Sequence, residues 1–143
     1  MKKFIVIFII ATISILALIY GYFNFEFERK NIAKENLKFE YCYNKEIYGA
    51  ELATIINRAI ENNEKNNISK DNKGFYIENE QNSIKIEIKI IDNNTTYKME
   101  TFYMNDITKF VQNFNTIKFK CTKIEYHSQT GKIKYLYFEQ ISS

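Results

Sequence analysis

From Phe4 to Phe23 the chain reads FIVIFIIATISILALIYGYF, twenty consecutive residues without a charge. At about 1.5 Å rise per residue, a helix of that length matches a hydrocarbon core of roughly 30 Å. Thr12 and Ser14 can return their hydroxyls to backbone carbonyls one turn back, and Tyr20, Tyr22 and Phe23 cluster where an interfacial aromatic belt would lie. A transmembrane helix is expected over 4–23, behind a short N-terminus of residues 1–3. A cleaved signal peptide competes with this reading, because Met1-Lys2-Lys3 before an apolar run is how such peptides begin. Their apolar regions span about 7 to 15 residues, however, and end in an A-x-A-like site. Here Ala17 is followed by Leu18, Ile19 and Tyr20, so an uncleaved signal anchor is expected.

Arg29, Lys30, Lys34 and Lys38 follow the span and outnumber Lys2 and Lys3, which by simple count would put them inside. A two-lysine start before an apolar helix is nevertheless the ordinary export signal. It predicts residues 1–3 in the cytoplasm and an extracytoplasmic body held at the cell membrane by one pass. The chain has 20 basic and 17 acidic residues, and without Lys2 and Lys3 the balance is 18 against 17. A body so near neutrality lacks the broad basic surface of a nucleic-acid binder, and no nucleic-acid partner is expected. The expected partners are membrane lipid, through the N-terminal helix, and envelope proteins.

Residues 24–45 are polar and of mixed charge, with Phe25, Phe27, Ile32, Leu37, Phe39 and Tyr41 irregularly spaced, and read as a stalk that begins as helix. Between Glu46 and Asn62, Leu52, Ile55, Ile56, Ala59 and Ile60 take the three-and-four spacing of an amphipathic helix. Tyr48 and Gly49 sit near its start, where Gly permits close packing or an altered entry angle. The period then becomes two: Ile84, Ile86, Ile88 and Ile90 alternate with Lys85, Glu87 and Lys89 over Ser83 to Ile91. Phe75–Glu78 and Thr96–Met104 read as neighbouring strands. Asn105–Asn115 reads as a short helix capped at Asn105 or Asp106. Thr116–Tyr126 and Lys132–Ile141 form a hairpin through His127–Lys132, with a bulge near Thr122 where the parity of apolar positions changes.

The resulting fold class is α+β: a transmembrane helix and stalk, then an amphipathic helix packed on a four- or five-stranded antiparallel meander, with residues 46–143 as the extracytoplasmic domain. Through the anchor, the stretch YNKEIYGAELATIINRAIENNEKN and the later FKCTKIEYHSQTGKIKYLYFEQ, the chain resembles uncharacterised or pilin-like membrane-anchored proteins of Gram-positive bacteria. That resemblance implies the architecture and no catalytic activity. The peptidase site before the apolar segment and the early glutamate within it, both characteristic of pilins, are absent from residues 1–23.

Chemistry-bearing residues are sparse. His127, the only histidine, lies beside the hairpin turn with Ser128 and Thr130, where backbone hydrogen bonding is its expected role. Cys42 and Cys121 lack the ligand spacing of a zinc site. They are either a disulfide joining the stalk to a central strand or two separate thiols, with Cys121 packed as a small apolar residue. Lys85, Lys89, Lys98, Lys118, Lys120, Lys123, Lys132 and Lys134 interleave with Tyr97, Tyr126, Tyr135 and Tyr137. They could contact a polyanion, but Glu87, Glu100, Glu125 and Glu139 lie among them, and a solvated sheet face with cross-strand ion pairs accounts for the same residues. No P-loop, dinucleotide fingerprint, HExxH or nucleophile elbow occurs. The expectation is therefore a non-enzymatic, pilin-like envelope protein acting in assembly or protein interaction, without cofactor or metal. The alternative is an extracytoplasmic binding module for a polyanionic or small envelope ligand.

Overall fold

The computed structural model describes residues 1–141. Its elements in chain order are α1 (Lys2–Glu40), β1 (Glu46–Tyr48), α2 (Gly49–Lys65), β2 (Lys85–Ile90), β3 (Thr95–Lys98), α3 (Met99–Met104), α4 (Ile107–Phe114), β4 (Lys118–Tyr126) and β5 (Ile133–Gln140). The protein divides into two compact units, Met1–Lys34 and a second beginning at Glu35.

The first unit is helix alone. With neither Gly–Pro punctuation nor a capping residue to stop it, the apolar run continues into the polar segment without a break, and α1 reaches 39 residues. It is long and apolar enough to cross a membrane on length and composition. Its large side chains from Phe4 to Phe23 are exposed. Thr12 Oγ1 donates to the Phe8 carbonyl at 2.8 Å and Ser14 Oγ to that of Ile10 at 2.9 Å, so neither hydroxyl is left unpaired within the run.

The second unit is an α+β domain. Its five strands form one sheet in the order β1-β4-β5-β2-β3. Every pairing is antiparallel except β2 with β5, which is parallel, so the expected antiparallel meander is corrected to a mixed sheet. The cause lies in residues 99–114. A meander would place β4 beside β3, but two helices intervene and carry the chain across one face, the kind of crossover that strands of like direction require. The segment Thr96–Met104 accordingly ends as strand at Lys98. Met99 and Glu100 are both buried, a consecutive pair that helix accommodates and a one-faced strand does not.

Three further boundaries differ from expectation. The helix expected from Glu46 starts at Gly49, preceded by β1, because Glu46, Ile47 and Tyr48 pair with Lys120, Phe119 and Lys118. Phe75–Glu78 forms only an isolated bridge, Lys70 to Tyr76. There the Asp71 carboxylate accepts from the Lys73 and Phe75 amides and curls the backbone away from the sheet. The folded unit begins at Glu35, so the last turns of the segment read as stalk belong to it. The bulge expected near Thr122 is present, as a register shift between Cys121 and Lys123 opposite Phe138 and Tyr137.

A single core lies between the helices and one face of the sheet. Leu52, Ile55, Ile56, Ala59 and Ile60 supply the stripe of α2, and Ile86, Ile88, Phe119, Leu136 and Phe138 supply the strands. Phe110 of α4 sits over β4, 6.1 Å from the Phe119 ring, and continues through Phe102 at 4.7 Å and Phe114 at 5.0 Å. Two buried asparagines fasten helices to strand ends. Asn63 of α2 donates to the Ile84 carbonyl and accepts from its amide, both at 2.8 Å. Asn36 of α1 donates to the Gly131 carbonyl at 2.9 Å and accepts from the Ile133 amide at 3.0 Å. Each amide side chain thus completes backbone pairing where a strand begins.

Candidate functional site

The sheet face opposite the helices carries Lys85, Lys89, Lys98, Lys120, Lys123, Tyr135 and Tyr137 of the residues that the sequence singles out, whereas Tyr97 packs on the core side beside Phe102. The strand register arranges them as a checkerboard. Lys120 lies across from Glu139, which faces Lys89, while Lys123 lies across from Tyr137, which faces Glu87 and then Lys98. Tyr135 occupies the middle, between Glu125 and Lys85. Its ring has the Lys85 ammonium 5.6 Å from its centroid and that of Lys123 at 5.5 Å, and its hydroxyl donates to Glu87 at 2.8 Å.

Five of the eight lysines meet acids of this same domain. Lys85 pairs with Glu87 at 2.8 Å, Lys118 with Glu46 at 3.0 Å, Lys123 with Glu125 and Lys134 with Glu78, while Lys132 approaches Glu35 at 4.0 Å. Lys98 instead lies over the Phe75 ring. Such exposed pairs each contribute little, about 0.2–1 kcal/mol, but they offset much of the positive charge a polyanion would follow, and Lys89 and Lys120 flank Glu139 in the register.

Several groups have titrations tied to the fold. Burial pushes the Glu87 carboxyl up, but hydrogen bonds from Lys85 and Tyr135 outweigh it and hold the group below the usual range. Glu125 is lowered by the hydrogen bond from Lys123. Tyr126 is pushed up to about 12, first by burial and then by the hydrogen bond it donates to Glu40 at 2.9 Å. A depressed carboxyl adds stability above its unfolded pKa and loses it as pH falls through the folded one; a raised tyrosine adds stability below its unfolded pKa and loses it as pH rises through the folded one. Thermal stability should therefore fall below about pH 4 and again as pH rises above about 10. Tyr126→Phe should make the alkaline decline shallower in a pH series of melting curves, and an identical decline would exclude Tyr126 from it.

His127 lies 2% exposed at the hairpin, with Nε2 2.7 Å from the Ser83 carbonyl, so the ring carries its proton on Nε2 and ties the turn to the start of β2. Thr130 Oγ1 donates to the Gln81 carbonyl at 2.7 Å. Both side chains act on backbone, the role expected for a residue beside a turn. Among the described residues no group of three or more His, Cys, Asp or Glu side chains converges.

Two concave places stand out among the described residues of the folded unit. One, of about 240 Å³, lies between the end of α1, α2 and the start of β5, and is walled by Glu35, Asn36, Arg58, Glu61 and Lys132. Charges of both signs alternate around it, and Arg58 Nη1 is already committed to the Lys38 carbonyl at 3.2 Å. The other, of about 460 Å³, is floored by Tyr97, Phe102, Phe110 and Phe114. Neither was legible in the sequence, because each is assembled from elements distant along the chain.

The two cysteines are brought together. Cys42 and Cys121 are both fully buried in the core, and Tyr43 bridges Cys121 in parallel register. The Asn44 amide donates to the Cys121 carbonyl at 2.9 Å, so the residues after α1 run alongside β4. The neighbouring Cys121 thiol, followed by burial, pushes the Cys42 thiol well above its ordinary range, while Cys42 holds that of Cys121 below it. Comparison with family models, with curated proteins and with solved structures finds no match to this chain.

Proposed function

We propose that this chain is a single-pass membrane protein with its N-terminus in the cytoplasm and its folded unit on the outer side, acting without catalysis in assembly with other envelope proteins. The observation that carries this reading is α1. Its first half offers an uncharged, fully exposed apolar surface of membrane-spanning length. Its last turns, through Asn36 and Phe39, are components of the folded unit. A helix that is apolar at one end and part of a small α+β domain at the other also supports a pilin-like architecture. The self-compensated sheet face weighs against the polyanion-binding alternative.

Protease treatment of intact cells should remove a C-terminal epitope from the full-length protein. Protection in intact cells, with cleavage only after permeabilisation, would overturn the external placement. Cross-linking in intact cells should give a reproducible adduct to one or a few membrane or envelope proteins, or to further copies of this chain. A protein recovered solely as monomer would count against the assembly role.

A further inference from the structure

We propose that Cys42 and Cys121 are joined as a disulfide in the exported protein, fixing the segment that follows α1 to strand β4. The proposal rests on the external placement of the folded unit, since disulfides persist in oxidising compartments.

The geometry comes from the backbone. Tyr43 and Cys121 are bridge partners, and the Asn44 amide bonds to the Cys121 carbonyl. Chains paired in this way run about 4.8 Å apart. The neighbour of a bridge partner falls within the Cα separation of about 4.4–6.8 Å that disulfides span. Both side chains lie in one core with no exposed surface on either, Cys42 Sγ donating to the Phe39 carbonyl at 2.9 Å and Cys121 Sγ to the Lys123 carbonyl at 3.6 Å. These are the chain's only cysteines, and they lie 79 positions apart. Packing alone would be satisfied by any small apolar residue at either place, and does not account for both occupying the same spot.

Burial also sets when the bond forms. With no exposed surface on either sulfur, the folded pair is closed to an oxidant, so oxidation belongs to folding, before β4 and the 42–44 segment come together. One cysteine thiolate attacks a sulfur of an oxidised, extracytoplasmic dithiol oxidoreductase and displaces that enzyme's second sulfur as a thiolate. The other cysteine thiolate attacks the mixed disulfide and releases the enzyme as its dithiol. This chain loses two electrons and two protons, and the enzyme's disulfide takes them up. The closed loop contains β1, α2, β2, β3, α3 and α4. Cross-linking so long a segment restricts the unfolded chain.

The test uses the full-length protein in its own membrane. Cells are quenched in acid, denatured and alkylated without reductant, and peptides are read by mass spectrometry before and after reduction. The expected result is one linked species containing Cys42 and Cys121, unalkylated before reduction, two hydrogens lighter than the dithiol form, and alkylated at both sites after it. In Cys42→Ser, Cys121 should be alkylated without reduction. Quantitative alkylation of both wild-type cysteines without reductant would overturn the proposal. Protease treatment of the same culture reads topology separately. An external body with free thiols sinks the bridge alone; a protected body sinks the external placement, while the thiol result still decides the bridge.

Discussion

Gly49→Ala should lower the melting temperature of the detergent-solubilised full chain by about 10 °C or more, the largest effect expected of any single methyl group in this protein. A Cβ at Gly49 would stand 2.0 Å from the Phe114 carbonyl oxygen and 2.7 Å from its carbon. Both obstacles are backbone, so no rotamer change relieves them. Gly49 opens α2 and its amide donates to the Ile117 carbonyl at 2.9 Å, while Phe114 closes α4. Relief would require α4 to withdraw and the Phe110–Phe114–Phe119 ring contacts to loosen. The cost is about 3 kcal/mol, the upper part of the range for overpacking a filled interior. Gly21→Ala is the control: nothing lies within 4 Å of its added Cβ, and it should leave the transition unmoved. If circular dichroism gave the two variants the same midpoint, the close approach of α2 and α4 would be wrong.

Gly49 also marks how far the sequence could be read. Its presence at a helix start is open to close packing or an altered entry angle, and the partner that decides for packing lies 65 positions further on and leaves no local trace. The amphipathic stripe of α2 and the alternation of Ile84, Ile86, Ile88 and Ile90 predicted elements that the fold contains, because each pattern is local and set by which face is buried. Strand direction was not legible: the same alternation serves a parallel or an antiparallel neighbour, and only the helical crossover over 99–114 decides between them. The segment METFYM misled because its Thr, Phe and Tyr favour strand, whereas the site buries Met99 and Glu100 side by side. The candidate site shows the same division. Glutamates among the lysines suggested cross-strand ion pairs; the pairs on the strands run mostly along one strand, Lys85–Glu87 and Lys123–Glu125, with Lys118–Glu46 crossing between strands, and Glu100 is buried in α3. The meeting of Cys42 with Cys121 depends on a bridge at Tyr43, in a stretch whose sequence has no periodicity to place it.

Asn63→Leu should destabilise the folded unit by about 3 kcal/mol, although it exchanges one buried side chain for another of similar size and greater hydrophobicity. Asn63 has no exposed surface, and its side-chain amide is the partner of both the Ile84 amide and the Ile84 carbonyl at 2.8 Å. Leucine fills the volume but strands those two backbone groups in the interior at the start of β2, and each lost pairing costs about 1–3 kcal/mol. Burial of the extra apolar surface returns about 1–2 kcal/mol of this at most. Asn36→Leu should act in the same direction on the Gly131 carbonyl and Ile133 amide, with a smaller loss because that site is 8% exposed and water can reach it. Asn63→Asp separates the two halves of the interaction: it keeps an acceptor for the Ile84 amide but sets a carboxylate oxygen against the Ile84 carbonyl, and should be at least as damaging at neutral pH as leucine. Hydrogen exchange at the Ile84 and Ile133 amides gives a local readout, since each variant should accelerate exchange first at its own strand start. If Asn63→Leu matched or exceeded the parent in melting temperature, hydrophobic burial would outweigh the paired amide here, and the asparagines would not be what fastens the helices to the sheet.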